Sequence, residues 1–216
     1  MRGRDEGPMT KPAPTAEQDR RRLPPQERRA QIVDAAVSFF ADEGLDGNTR
    51  DLAKRLGVTQ SLIFKYFDNK QALLEAVYAH VYLDRISPDW SDLLRDRSRT
   101  LRDRMITFYS EYGDRIFDYA WMRIFMFSGL AGADLNRRYL THLSQTLLLP
   151  MLDEIRHEVG RDDAVTPEDL WSLHGGIVYI GIRKHIYKMP VPADPLPEIV
   201  RVIDRFLASI GHGPAH

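Results

Sequence analysis

The sequence predicts an all-α protein, and three observations lead there. Val33, Ala36, Val37 and Phe40 fall at i, i+3, i+4 and i+7, with Ile32 and Phe39 widening the same stripe, and comparable spacing recurs down the chain. No alternating apolar–polar run bounded by turn residues occurs. Helix-start chemistry punctuates the whole length, from Asn48 with Asp51 to Thr166-Pro167-Glu168-Asp169 and Asp194-Pro195.

The elements follow in order. Residues 1–27 hold Pro8, Pro12, Pro14, Pro24 and Pro25 and no apolar periodicity, which predicts a disordered arm. Through Arg29 it carries eight basic against five acidic residues, a mildly basic surplus. A helix is expected from Arg28 to a stop at Gly44. Asn48 then caps a short helix with Leu52, Ala53 and Leu56 on its inner face, and Gly57-Val58 breaks it. Thr59 caps a second short helix carrying Leu62, Ile63, Tyr66 and Phe67. After Asp68-Asn69, a further helix runs through Leu73, Leu74, Val77 and Val81 to about residue 83. Beyond it, 99–112, 135–159, 167–187 and 196–210 read as helices. The short Pro-bearing connector before Asp194 makes the last two an antiparallel pair.

Composition bounds the possibilities. The 216 residues, 43% hydrophobic and 28% charged, suffice for a small N-terminal module and a larger second one. No run nears the roughly 18 apolar residues of a membrane span, and the N-terminus lacks an apolar leader core, so a cytoplasmic protein without a membrane partner is expected. Zero cysteines remove disulfides, thiolate metal sites and thiol nucleophiles. None of the seven histidines forms an H-E-x-x-H pair, and no nucleophile elbow or phosphate-cradling loop stands out. The expectation is therefore no enzyme, no metal and no cofactor. A net charge of −1 does not advertise a nucleic-acid partner.

The stretch from Asn48 to Leu74 changes that impression. Two short helices, a Gly-bearing turn and a small Ala53 at the crossing make a helix-turn-helix. The second helix of such a unit enters the major groove, about 12 Å wide, with its N-terminal polar residues toward the bases. Gln60, Ser61 and Lys65 occupy those positions. A glutamine pairing bidentately with adenine is worth about 1–3 kcal/mol of discrimination. Residues 47–70 hold five basic against two acidic side chains, so the charge is local and the remainder of the chain hides it.

The run Asn-Thr-Arg-Asp-Leu-Ala-Lys-Arg-Leu-Gly-Val-Thr-Gln-Ser-Leu-Ile-Phe-Lys-Tyr-Phe-Asp-Asn-Lys-Gln-Ala-Leu-Leu resembles the DNA-binding domain of the TetR family of transcriptional regulators. The resemblance extends from Gln31 to about Tyr78. It implies a three-helix DNA-binding domain, a linking helix, and a divergent helical domain that dimerises and binds a small ligand. On that basis residues 28–84 form the DNA-binding and linking unit, and 85–216 the effector and dimerisation domain. Thr49 and Arg50 match the start of the family's second helix, where side chains meet phosphate. Thr59, Gln60 and Ser61 match the opening of its recognition helix. Phe64 departs from the usual tyrosine, losing a phosphate hydrogen bond and keeping apolar contact. Lys65 and Tyr66 match phosphate-near positions, and Lys70 the lysine opening the linking helix.

Through the second domain, Met105, Phe108, Tyr109, Tyr112, Phe117, Tyr119, Trp121, Phe125 and Phe127 are dense in aromatic and thioether groups. The resemblance implies an effector pocket there, and Phe108, Tyr112, Trp121, Phe125, Tyr139, His142, Trp171 and His174 are its candidate lining, with Arg123 a further polar anchor. Plain core packing is the other reading of the same residues. The effector expected is small and apolar or aromatic. Leu196, Val200, Ile203, Leu207 and Ile210 step by four and three, a seam that can face another helix. Gly175, Gly176 and Gly181 lie within a helix, each costing about 1 kcal/mol against Ala, a cost that fits closely approaching backbones or a locally unwound helix. Gly175, Ile203, Leu207 and Ile210 are thus the candidate homodimer contacts. The function expected is a ligand-responsive repressor binding a palindromic double-stranded operator as a homodimer. An activator of the same fold is the alternative, ahead of a helical enzyme or scaffold.

Overall fold

Eleven α-helices and two π-helical turns account for the regular structure among the described residues, 23–132 and 134–212, of a computed structural model; those residues contain no strand. The arm expected over 1–27 lies outside them up to residue 22. Its last residues, Pro25 to Glu27, already belong to α1 (Pro25–Glu43), which opens with proline in its first turn. Gly44, at φ 84°, ends α1 by donating its N–H to the Phe40 carbonyl at 3.0 Å.

The three starts that follow are set by side-chain caps. Asn48 accepts the Asp51 N–H at 2.9 Å to open α2 (Thr49–Leu56). Thr59 accepts from Leu62 to open α3 (Gln60–Tyr66), and Asn69 from Ala72 to open α4 (Lys70–Tyr78). Between α2 and α3, Gly57 takes the left-handed conformation at φ 71°, which a side chain would strain. Ala53, Leu52 and Ile63 close the crossing of α2 and α3, and Ile32, Ala36 and Phe40 of α1 complete that small core.

The linking helix does not run evenly to residue 83. Its last turn, Ala79–Leu83, is π-helical, the Asp84 N–H reaching back five residues to the Ala79 carbonyl at 3.0 Å. Then come α5 (Asp89–Arg95), α6 (Leu101–Ile116), α7 (Tyr119–Leu130), α8 (Asp134–Leu143), a second π turn at Ser144–Leu148, α9 (Leu149–Val159), α10 (Pro167–His185) and α11 (Leu196–Ser209). The sequence reads 135–159 as one helix. Pro150 explains the irregularity there: it lacks the N–H that would reach Thr146 and its ring crowds that carbonyl, and the Leu149 N–H bonds to Ser144 instead.

The body is a helical bundle in which α6 packs against α11, α5 against α9, and α10 against both α6 and α7. The first module joins it chiefly through α1 on α7. A buried ion pair pins the far end: Arg104, 1% exposed, binds Glu154 at 3.1 Å and the Leu94 carbonyl at 2.6 Å, and Arg97 grips both Glu154 oxygens. Glu154 is held below the usual carboxylate range by those arginines, Arg97 first, despite its desolvation.

Candidate functional site

The exposed face of the helix-turn-helix is built from α2 and α3. Ile63 points inward at 0% exposure, and Phe67 closes the inner side just beyond α3. One helical turn apart on the opposite side stand Ser61, Phe64 and Lys65, all exposed, with Arg50 exposed at the start of α2. Phe64 at 39% is a large apolar ring held in solvent on a polar surface. Gln60 is half-buried, its amide donating to the Thr49 hydroxyl at 2.8 Å, while Thr49 itself is buried at 6%. Those two residues therefore brace α3 against α2, and Thr49 does not stand outward. Thr59 caps the helix and shares a 3.0 Å hydroxyl contact with Ser61. Tyr66 is half-buried against the core. Lys70 begins α4, where free backbone N–H groups and an ammonium together suit a phosphate, and its Nζ lies 5.9 Å from the Phe40 ring centre.

A family model described as "Bacterial regulatory proteins, tetR family" matches residues 32–77, the span that holds this unit. The helix-turn-helix unit is thus similar to that family over residues 32–77. Among curated relatives, the class A tetracycline repressor of transposon 1721 from Escherichia coli is 32% identical over 85 residues, covering 36% of this chain and 39% of that protein. The transcriptional regulator BetI of Burkholderia cenocepacia is 28% identical over 131 residues, 60% of each chain. The chain thus spans about two-fifths of the length of the tetracycline repressors it matches. Likeness of fold reaches further: a TetR-like regulator from Rhodococcus sp. RHA1 superposes with a TM-score of 0.68 at 17% identity, over 87% of this chain and 99% of that one. Mycobacterium smegmatis AmtR gives 0.61 at 18%, over 88% and 95%.

The candidate pocket residues divide. Tyr112, Trp121, Tyr139 and His174 come together inside the body, joined by Tyr82 from the first π turn and Tyr109 from α6, neither of which the sequence singled out as pocket-lining. The Tyr112 and Tyr139 hydroxyls meet at 2.8 Å, and His174 Nε2 lies 3.4 Å from Tyr112. Phe125 stacks on Trp121 at 5.1 Å from its half-buried edge, and Phe108 stacks on Tyr112 at 5.6 Å. Burial pulls His174 down to about 4, so it is neutral at pH 7, and burial raises all four phenols, which remain protonated. His142 stands apart, exposed on α8 in a surface hollow with Arg137, Arg138 and Gln145, and Trp171 edges a second hollow there while its ring touches His174. Arg123 faces the other way: it donates to the Ala41 carbonyl and covers Phe127, tying α7 to α1.

The expected dimer seam requires a correction. Ile203, Leu207 and Ile210 are 0%, 1% and 8% exposed within this one chain, because α11 turns that stripe onto α6. Helical periodicity marks an apolar face without saying what covers it. The outward residues of the last two helices include Gly175, Gly176, Tyr179, Val202 and Phe206, exposed or half-buried. A Cβ on Gly181 would meet Met122 at 2.5 Å and Phe117 at 2.9 Å, so its backbone is pressed against α7, whereas nothing lies within 4 Å of one on Gly175.

Coupling between the two modules runs through named contacts. Asp42 accepts from Arg55 of α2 at 2.7 Å and from Tyr119 of α7 at 3.2 Å, and Arg55 above all holds its carboxyl below the ordinary range. Arg138 of α8 binds Glu75 of α4 through both oxygens and lies 4.7 Å over the Tyr78 ring. The sequence offered no signal for these pairs, which join residues far apart in the chain.

No helix of the described residues is long and apolar enough to cross a membrane, and none of their His, Asp and Glu side chains gather in threes as metal ligands.

Proposed function

We propose that this chain is a DNA-binding transcriptional regulator, a ligand-responsive repressor that grips a palindromic operator as a homodimer. The observation that carries the reading is the outward face of α2 and α3. Arg50, Ser61, Phe64 and Lys65 form a narrow, positively charged ridge, and Lys70 stands at the N-terminus of α4. Arg50, Lys65 and Lys70 meet phosphates, Ser61 reads a base edge or phosphate, and Phe64 packs on a thymine methyl. Gln60 reads a base only on leaving Thr49, so its specificity is conditional on that 2.8 Å bond opening. Thr59 and Tyr66 support the helix from its two ends.

Residues 28–84 act as the reading head and 85–216 as the effector and dimerisation unit. The bare backbone at Gly175 and Gly176, with Tyr179, Val202 and Phe206 around it, is the surface on which a second copy docks. Dimerisation places two recognition helices at half-sites about 34–36 Å apart or a multiple of that. A small effector entering the aromatic interior favours a head spacing that misfits the operator, and its differential affinity for that state sets the size of the switch. The names of the relatives, a tetracycline repressor among them, agree with this class of function.

Random duplexes selected on the purified protein test it. The expected product is a two-fold symmetric motif bound by two protomers in sedimentation. Recovery of no motif, or of an asymmetric one bound by a single protomer, overturns the reading.

A further inference from the structure

The body of the protein buries hydrogen-bond donors that the protein itself leaves without acceptors. The Tyr82 and Tyr109 hydroxyls and the Trp121 indole N–H make no hydrogen bond among the described residues, although their side chains are 0–2% exposed. His174 Nδ1, 62 residues along from Tyr112, is likewise unpaired. In the Tyr139–Tyr112–His174 row, three donor hydrogens serve two contacts, so one hydrogen is left over whichever way the row is oriented. Buried polar groups in folded proteins are almost always satisfied, and a cluster of exceptions asks for a cause.

These groups are neighbours. The Tyr82 ring lies 5.4 Å from Trp121 and 5.2 Å from Tyr139, and the His174 ring 5.2 Å from Tyr112 and 6.1 Å from Tyr109. Every one presents a flat aromatic face as well as a donor. None carries charge at pH 7, since the phenols stay protonated and His174 stays neutral. The charged groups at the margin are already paired, Arg85 with Asp118 and Arg138 with Glu75.

We propose that this packed aromatic cluster opens to take an uncharged, planar aromatic compound bearing acceptor oxygens, a polycyclic ketone or quinone, held by Tyr82, Tyr109 and Trp121. The inference rests on the ligand-responsive reading above and specifies the chemistry of its effector. Ring–ring contacts are exchanged for ring–ligand contacts of the same kind, and carbonyl oxygens satisfy the orphaned donors. A carboxylate finds no free cation there and a cation finds no free anion, so both are excluded by desolvation. Tyr82 gives the site its output, because it lies in the π turn that directly continues α4 from the reading head. A turn with one extra residue per hydrogen-bonded ring has the α-helix as an alternative, and their exchange rotates what precedes it.

The test is calorimetric titration of the full chain with three matched series: naphthalene, acetonaphthone and naphthoate; fluorene, fluorenone and fluorene carboxylate; phenanthrene, phenanthrenequinone and phenanthrene carboxylate. Within each frame that binds, the carbonyl compound is expected to bind about tenfold or more tightly than the hydrocarbon, and the carboxylate weakest. Tyr82→Phe and, separately, Tyr109→Phe should lower carbonyl affinity about five- to tenfold and leave hydrocarbon affinity unchanged. The proposal is overturned if carboxylates bind best, if hydrocarbon and carbonyl bind alike, if both Phe variants behave as wild type, or if no series binds. A parallel gel shift on the selected duplex separates the two failures: operator binding without any probe binding refutes the effector chemistry alone, and no operator binding refutes the regulator reading.

Discussion

His174 offers a quantitative test of the buried aromatic interior. It is 5% exposed, its only hydrogen-bond neighbour among the described residues is a phenol at 3.4 Å, and burial holds it near 4 against 6.5 for a free imidazole. The folded state therefore refuses a proton that the unfolded state accepts as pH falls below about 6.5. Stability is unaffected above that value, declines between about 6.5 and about 4, and levels off below, for a total near 3 kcal/mol. Between about pH 7.5 and about pH 5 the expected loss from this one group is about 2 kcal/mol. The assay is urea unfolding followed by circular dichroism at both pH values, at fixed protein concentration, for wild type and His174→Phe. Contributions common to the two proteins cancel in the comparison. The variant's loss on acidification should be about 2 kcal/mol smaller than the wild type's. Equal losses would mean that His174 is hydrated or protonated in the folded chain, and would refute a dry aromatic interior.

Three further outcomes are expected. Glu154→Ala strips the buried Arg104 of its principal partner and should cost about 3–5 kcal/mol in urea unfolding, whereas Arg97→Ala, at the half-exposed end of the same cluster, should cost much less. Gly181→Ala forces a Cβ onto Phe117 and Met122 and should destabilise the fold by about 1–3 kcal/mol, while Gly175→Arg should leave helix content unchanged by circular dichroism and shift sedimentation from dimer to monomer. Lys70→Ala should weaken binding to every duplex and lower the slope of log affinity against log salt by about 1, since one phosphate contact is lost.

Local chemistry made much of this fold legible. Asn48, Thr59 and Thr166 cap where their side chains demand, and Gly44 and Gly57 end helices at positive φ, because each of these events involves residues within one turn of each other. Helix α7 escaped notice for the opposite reason: Ala120 to Phe127 is apolar almost all round, so no periodic stripe marks it. Only Asp118, which accepts the Trp121 N–H at 2.7 Å, signalled its start. The π turns were illegible because an extra residue in one turn leaves the composition of a helix unaltered, although Pro150 flagged the second.

Partners were harder to read than faces. The four-three stripe of α11 is genuine, and its Ile203, Leu207 and Ile210 positions are buried within the chain, where α11 packs on α6. The outward positions of α3 follow from its period, yet the bond from Gln60 to Thr49 spans eleven residues and two helices. It turns an expected base reader into a brace that must open first. In the aromatic interior, Tyr112, Trp121, Tyr139 and His174 were recognisable from the sequence, but Tyr82 joined them only through packing, Tyr109 stood in the aromatic stretch without being marked as lining, and His142 stays exposed on α8.

The central claim is that a weakly charged chain, −1 overall, achieves specific DNA binding through a locally basic head presented twice. The most direct measurement is the affinity of the full chain for its selected duplex and for a shuffled duplex of equal length, at one physiological salt concentration. The account predicts a ratio of about 1,000 or more, with Phe64→Asp abolishing the preference. A ratio near one would contradict it.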